Sequence, residues 1–249
     1  MEVENLPDQN LAYTPEELLA VLISREVRDG ERVGVGTISP AVAAGCILAH
    51  HTHAPRASLA IWRFAEYWPF TEGMKELFDY GQRGRIDLFF FSGAQIDRFG
   101  NVNLVAIGDY DQPKVRLPGG AGSATLSYTV PRIILFQTSH SKRTFVEKVD
   151  FVTATNNPPP NVQRLGKFTK CITPLGTINF AGERPFLEAV NPGVPVQQVV
   201  ENTGFELAIP ASVPENPPPT ERELSVLRTV VKEKMQAVYP QFCARAFSG

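Results

Sequence analysis

Short apolar runs alternate with stretches of helical spacing over the first 140 residues or so, and this alternation narrows the possible folds more than any other feature. Arg32 to Gly36, Ser58 to Trp62 and Ile86 to Phe91 read as buried strands, the last strongly apolar. Between them lie helix signals. Thr14-Pro15-Glu16-Glu17 combines a capping threonine, a first-turn proline and the glutamate of a capping box. Leu18, Leu19, Leu22 and Ile23 follow at helical spacing, and Gly30 marks the stop. Ser39-Pro40 starts a second helix running to His51, and Glu72 to Tyr80 supplies a third. Strands alternating with helices predict an α/β fold whose mostly parallel sheet carries helices on both faces. Thr129 to Thr138 and Phe145 to Thr153 are expected to add two more strands.

The downstream third changes character. Asn156-Asn157-Pro158-Pro159-Pro160 favours an extended, helix-free loop, and Pro214 to Pro219 forms a second proline-rich connector. Strand-like pieces lie around Cys171 to Phe180 and Pro195 to Val200. Thr220 caps a final helix, Glu221 to Val238, which Pro240 ends. Residues 1–249 are read as a single domain, with 156–219 as an elaborated edge and 220–240 as a C-terminal helix.

Composition closes off several function classes. Net charge is -2, so neither a nucleic-acid footprint nor a cationic membrane patch is expected. No apolar run approaches the roughly 18 residues that span a bilayer. Met1 to Asn10 is polar and acidic, unlike a secretory leader. Cys46, Cys171 and Cys243 are odd in number and scattered, which points to a reduced cytoplasm and not a disulfide framework.

Three glycine-rich turns are the candidate chemistry. Gly34-Val35-Gly36-Thr37 joins a strand to a helix but lacks the third glycine and the acidic residue of a dinucleotide fingerprint. The turn from Ser92 through Gly93, Ala94, Gln95 and Asn101 to Asn103 leaves the most apolar strand, at the strand end where ligands collect in parallel sheets. Phe99-Gly100-Asn101 also suits a hairpin leading into Val102 to Ile107. Leu117 to Ala124 lacks the lysine of a P-loop, yet its run of small residues can present backbone N–H groups to one oxygen, as an oxyanion hole requires. His50 and His53 lie three apart near a helix end with His51 between them; a catalytic zinc would need a further protein ligand, and His140 alone remains, so no metal site is expected. Cys46 lies on an apolar helix face and reads as packing.

Taken in order, several blocks resemble the β subunit of glutaconate-type, class I CoA-transferases. They are Gly36-Thr37 to Ala54-Pro55, Gly93 to Asp97 with Gly100 to Asn103, Ile107 to Tyr110, Pro113-Lys114, and Gly119 to Ala121. Lys148 to Thr153 and Glu201 to Phe205 continue the series. The resemblance implies a CoA-transferase fold and a homologous α subunit, in an α2β2 assembly with the active site between subunits. It also implies that Gly119, Gly120 and Ala121 line the reacting carbonyl, with Gly93, Ala94, Gln95 and Asn101 nearby at the substrate. Coenzyme A is then part of the substrate, and no separate cofactor is expected.

One position departs from that family. Counting from the Ala54-Pro55 pair, the family's catalytic glutamate falls on Trp62, followed by Arg63 and Phe64. An indole cannot attack a thioester and carry CoA. Glu66, four residues on, is the nearest substitute carboxylate. Trp62 and Arg63 suit a pocket for a ring-bearing acyl group with a carboxylate, or equally a core or interface patch. The departure resembles the actinobacterial steroid ring-cleaving CoA hydrolases in their β subunit. That likeness implies C–C bond hydrolysis in a ring-bearing acyl-CoA during cholesterol catabolism, with the general base on the α subunit and no confident catalytic residue in this chain. A true CoA-transferase subunit, or a silent partner shaping the α-subunit site, are the alternatives.

Overall fold

The computed structural model describes residues 12–247; Met1 to Asn10, on which the reading against a leader rests, lie outside the described residues. Helix α1 (Pro15–Ser24) begins at the expected capping box, Thr14 accepting from the Glu17 amide while Glu17 reaches back to the Thr14 amide. It stops six residues before Gly30, which makes a later turn at φ 83°. Strand β1 (Arg32–Val35), helix α2 (Pro40–His51), strand β2 (Ser58–Ile61), helix α3 (Met74–Gln82) and strand β3 (Leu88–Phe91) then alternate as the sequence predicts.

The short pairs β4 (Gln95–Ile96) with β5 (Val102–Asn103) and β6 (Ala106–Ile107) with β7 (Val115–Arg116) form two small antiparallel ribbons. Helix α4 (Ser123–Thr129) leads into β8 (Arg132–Phe136). Strands β9 (Lys167–Ile172), β10 (Gly176–Asn179) and β11 (Phe186–Val190) complete one seven-stranded sheet in the order β11-β10-β9-β8-β3-β1-β2. Pairing is parallel from β2 through β9 and antiparallel for the last two strands.

Strand β3 shows why both faces are covered. Leu88 and Phe90 enter the apolar cluster built with α1, α2 and the C-terminal helices, while Phe89 and Phe91 enter the cluster under α3 and α4. Helices α1 and α2 approach closely at Gly45, where a Cβ would stand 2.6 Å from an Ile23 methyl. Glycine is therefore required there by packing.

Three sequence expectations are corrected. Phe145 to Thr153 is not a strand: only Phe145 makes an isolated bridge, to Ile96, and Glu147 and Lys148 face solvent. Pro195 to Val200 is helical, as part of α5 (Val196–Asn202), because Pro195 occupies the cap, where a fixed φ costs nothing. The C-terminal helix is interrupted. It runs as α6 (Glu221–Val226), a π-turn (Leu227–Val231) and α7 (Lys232–Met235), and Pro240 starts α8 (Pro240–Ala246) in addition to ending what precedes it.

Candidate active site

The strand order reverses direction at β1. The chain moves outward from β1 to β2, then returns to the other side of β1 for β3, β8 and β9. In such sheets a crevice opens beyond the carboxyl ends of the strands flanking the reversal. A cavity of about 620 Å³ lies there, bordered by the Gly36-Thr37 turn after β1, Ser92-Gly93 after β3 and the Gly119–Ser123 turn before α4. The three glycine-rich turns, separate in sequence, are brought by the sheet to one rim.

The third turn is shaped for backbone donation. Gly119 has φ 101° and Ala121 φ 44°, so successive peptide planes are turned away from a regular helix. The Gly119 N–H is already used, donating to Leu104 O at 2.9 Å. Among the described residues no acceptor takes the N–H of Gly120 or Ala121, and these two residues border the cavity. A Cβ on Gly120 would collide with the Thr153 methyl, so the turn tolerates no side chain at its centre.

Backbone strain gathers at the same rim. Among the described residues, the non-glycine positions with positive φ are Ile38 (54°), Arg63 (70°) and Ala121 (44°), and they follow β1, follow β2 and precede α4 respectively. Such a conformation is costly for a β-branched residue, and strain of this kind concentrates where function demands it. Ile38 is also 87% exposed.

Of the other expected substrate residues, Gly93 borders the cavity, and its carbonyl accepts from Gln137 Nε2 at 2.7 Å. Ala94, Gln95 and Asn101 do not line it. Ala94 N–H donates to Asn103 O in the small ribbon. Gln95 is buried, donating to Asp150 Oδ2 (2.9 Å) and accepting from Asn103 Nδ2 (2.8 Å) and the Asp150 amide (3.0 Å). Asn101 Nδ2 donates to Asp97, while its Oδ1 accepts from the Thr155 hydroxyl and the Asn156 amide. These amides lock the β4–β5 ribbon to the 150–156 segment.

Trp62 sits just beyond β2, its N–H donating to Val35 O at 3.4 Å, one strand from the Gly36 turn. Its ring meets Trp68 edge-on (4.9 Å, 83°), and Trp68, Phe70 and Tyr80 continue the aromatic chain. Neither Trp62 nor the exposed Arg63 borders the cavity in this chain. Glu66 is held on the outer surface by Lys234 Nζ at 2.7 Å and 2.8 Å, and that ammonium keeps its carboxyl below the ordinary range. It does not border the cavity either.

Sequence reasoning missed Glu16, the one carboxylate among the described residues that does line the cavity, paired with Arg245 at 2.8 Å. Its first-turn position in α1 was legible, but its place at the rim depends on α8, more than 200 residues away. The histidines of α2 and its end are engaged elsewhere: His50 with Ala57 O, His51 with the Tyr67 hydroxyl and His53 with Val27 O.

This architecture defines an α/β protein with a crevice at the reversal of a parallel sheet. Comparison with known proteins gives it a family. The coenzyme A transferase family model matches residues 67–202, and the chain belongs to that family. It is 34% identical to the B subunit of 3-oxoadipate CoA-transferase from Pseudomonas knackmussii, over 88% of this chain and 94% of the relative. It is 31% identical to the B subunit of glutaconate CoA-transferase from Acidaminococcus fermentans, over 81% and 86%. Among solved structures, the decarboxylase AibA/AibB superposes with a TM-score of 0.75 at 27% identity, covering 87% of this chain and 94% of that one. Rhodococcus jostii IpdAB does so with 0.75 at 25%, covering 87% and 93%.

Proposed function

We propose that this chain is the B subunit of a two-subunit enzyme that hydrolyses a carbon–carbon bond in a ring-bearing acyl-CoA, of the kind met in steroid ring breakdown. The observation that carries this reading is the lack of a free carboxylate at the reacting rim among the described residues. Trp62 stands at the end of β2, Glu66 is tied to Lys234, and Glu16 is tied to Arg245. Transfer of CoA through an enzyme-bound thioester needs a carboxylate nucleophile. Hydrolysis needs only an activated water.

Water attacks a ring ketone β to the thioester. The bond from that carbonyl carbon to the thioester α-carbon breaks, and its electron pair becomes an enolate on the thioester oxygen. The proton lost by water passes to a base, and the α-carbon is protonated in turn. One carboxylic acid and an intact thioester result, in a single opened molecule. The amides of Gly120 and Ala121 are the donors this chain offers to a developing oxyanion. The base is assigned to the homologous α subunit in an α2β2 assembly, with coenzyme A entering only as part of the substrate. Trp62 and Arg63 offer an aromatic wall and a cation for the ring and its carboxylate at the subunit boundary.

The test is to co-purify the two subunits and supply a ring-bearing β-keto acyl-CoA in heavy-oxygen water. One labelled oxygen in the opened product is expected. A second reading, ordinary CoA transfer, is favoured by the 34% identity to a transferase subunit. It predicts acyl exchange with an added dicarboxylate and a trappable enzyme–CoA adduct, and either result would overturn the hydrolase. Full activity after separate changes of Trp62, Arg63 and Gly120 would instead mark this chain as a silent partner.

A further inference from the structure

A second cavity, of about 930 Å³, opens at the opposite rim of the sheet. Gln82 at the end of α3, Thr129 at the end of α4 and Lys167 at the start of β9 border it, so it lies at the amino ends of β3, β8 and β9. The proline-rich segment 156–160, which the proposed activity does not use, contributes Asn156 and Pro158 to its wall.

Arg164 is the unusual group there. It is half-buried, donating to Thr155 O and to Asn156 Oδ1 (3.1 Å), and its guanidinium lies over the rings of Tyr128 (5.6 Å) and Phe168 (5.8 Å). The other half-buried arginines among the described residues each have a carboxylate: Arg25 with Glu223, Arg32 with Asp87, Arg132 with Glu31 and Arg228 with Glu17. Among the described residues Arg164 has none, and neither does the exposed Lys167 beside it. No aspartate or glutamate among them borders the cavity. A guanidinium taken partly out of water without a counter-charge is unfavourable, and burial accordingly weakens its hold on its proton. In a chain of net charge -2, a groove holding two unopposed cations selects an anion.

The size of the groove and its aromatic walls say which anion. Its volume lies at the upper end of the roughly 300–1,000 Å³ of small-molecule sites and far exceeds a bare phosphate. Tyr128 and Phe180 supply ring surface beside the cations. We infer that this cavity binds a nucleotide, its phosphate on Arg164 and Lys167 and its base against Tyr128. The inference does not depend on the proposed hydrolysis. The nucleotide is either free in solution or the nucleotide end of a CoA thioester, which carry the same chemistry.

Calorimetric titration of the co-purified complex with adenosine 5′-monophosphate, adenosine and inorganic phosphate tests it. The monophosphate is expected to bind at least about tenfold more tightly than either fragment, a difference of about 1.4 kcal/mol. Lys167→Ala should weaken it about fivefold and Arg164→Gln about thirtyfold. Lys167 is exposed, so that variant keeps the fold even where loss of Arg164 disturbs the loop. No binding, or binding unchanged by Lys167→Ala, overturns the site, and inorganic phosphate binding as tightly as the nucleotide overturns the nucleotide assignment. Competition by CoA, with a raised KM for acyl-CoA in Lys167→Ala, identifies the thioester as the source. Binding without competition identifies a free nucleotide.

Discussion

Ile38 shows how much a single residue reveals about this rim. A β-branched side chain at φ 54°, left 87% exposed, gains little from packing in this chain and carries left-handed strain of about 1–2 kcal/mol. Ile38→Gly removes that strain but adds about 0.5–1 kcal/mol of unfolded-state entropy. The expected outcome is stability equal to or up to about 1.5 kcal/mol above the parent in urea unfolding, with lower activity as the turn loosens. A clear loss of stability would show that Ile38 is held by contacts and not strained.

His140 offers a pH signature at the same scale. Its ring lies between the hydroxyls of Thr173 (2.8 Å) and Thr203 (3.0 Å), and the Thr203 hydroxyl donates onward to Val199 O. Burial lowers its pKa to about 4. The unfolded chain therefore takes up a proton that the folded chain refuses, so this contribution is complete above about pH 6.5 and is lost as pH falls towards 4, by at most about 3 kcal/mol. Unfolding free energies of His140→Gln should be flatter than the parent's between pH 6.5 and 4.

Among the elements, α1 depends most on a distant partner. Glu17 is fully buried, yet it both completes the cap of α1 and accepts from Arg228 in the π-turn at 2.7 Å and 2.9 Å. Removing one partner of a buried ion pair strands the other, and Arg228→Met is expected to cost about 3 kcal/mol in chemical denaturation. The interruption of the C-terminal helix by a π-turn coincides with this pairing. The capping box itself was legible from Thr14 and Glu17, since its signal is local. The ion pair was not, because nothing near Glu17 in sequence points to Arg228. The same contrast separates β3, announced by its own apolar run, from α5, where Pro195 to Val200 reads as strand-like and the preceding proline with a single buried valine, Val199, settled on a helix.

The whole molecule buries all three cysteines, each with no exposure. Burial pushes the Cys46 and Cys171 thiols far up, so neither supplies thiolate in the folded state. Alkylation is expected to be negligible in buffer and to rise with the unfolding transition, reporting global opening and not local fraying. Rapid native labelling would show that a core face opens on its own.

By itself the amino-acid order determined the alternation of strands and helices, the α/β class with its mostly parallel sheet, and the three small-residue turns, because each of these is written in neighbouring residues. Only the tertiary structure decided which of those residues meet. It gathered Gly36, Gly93 and Gly120 at one rim, assigned Gln95 and Asn101 to bracing a ribbon, carried Glu66 outward to Lys234 and brought Glu16 to the crevice. The reason is physical: local hydrogen bonding and periodicity are set by adjacent side chains, whereas a crevice is made by strand order, and strand order is chosen by burial summed over the entire sheet.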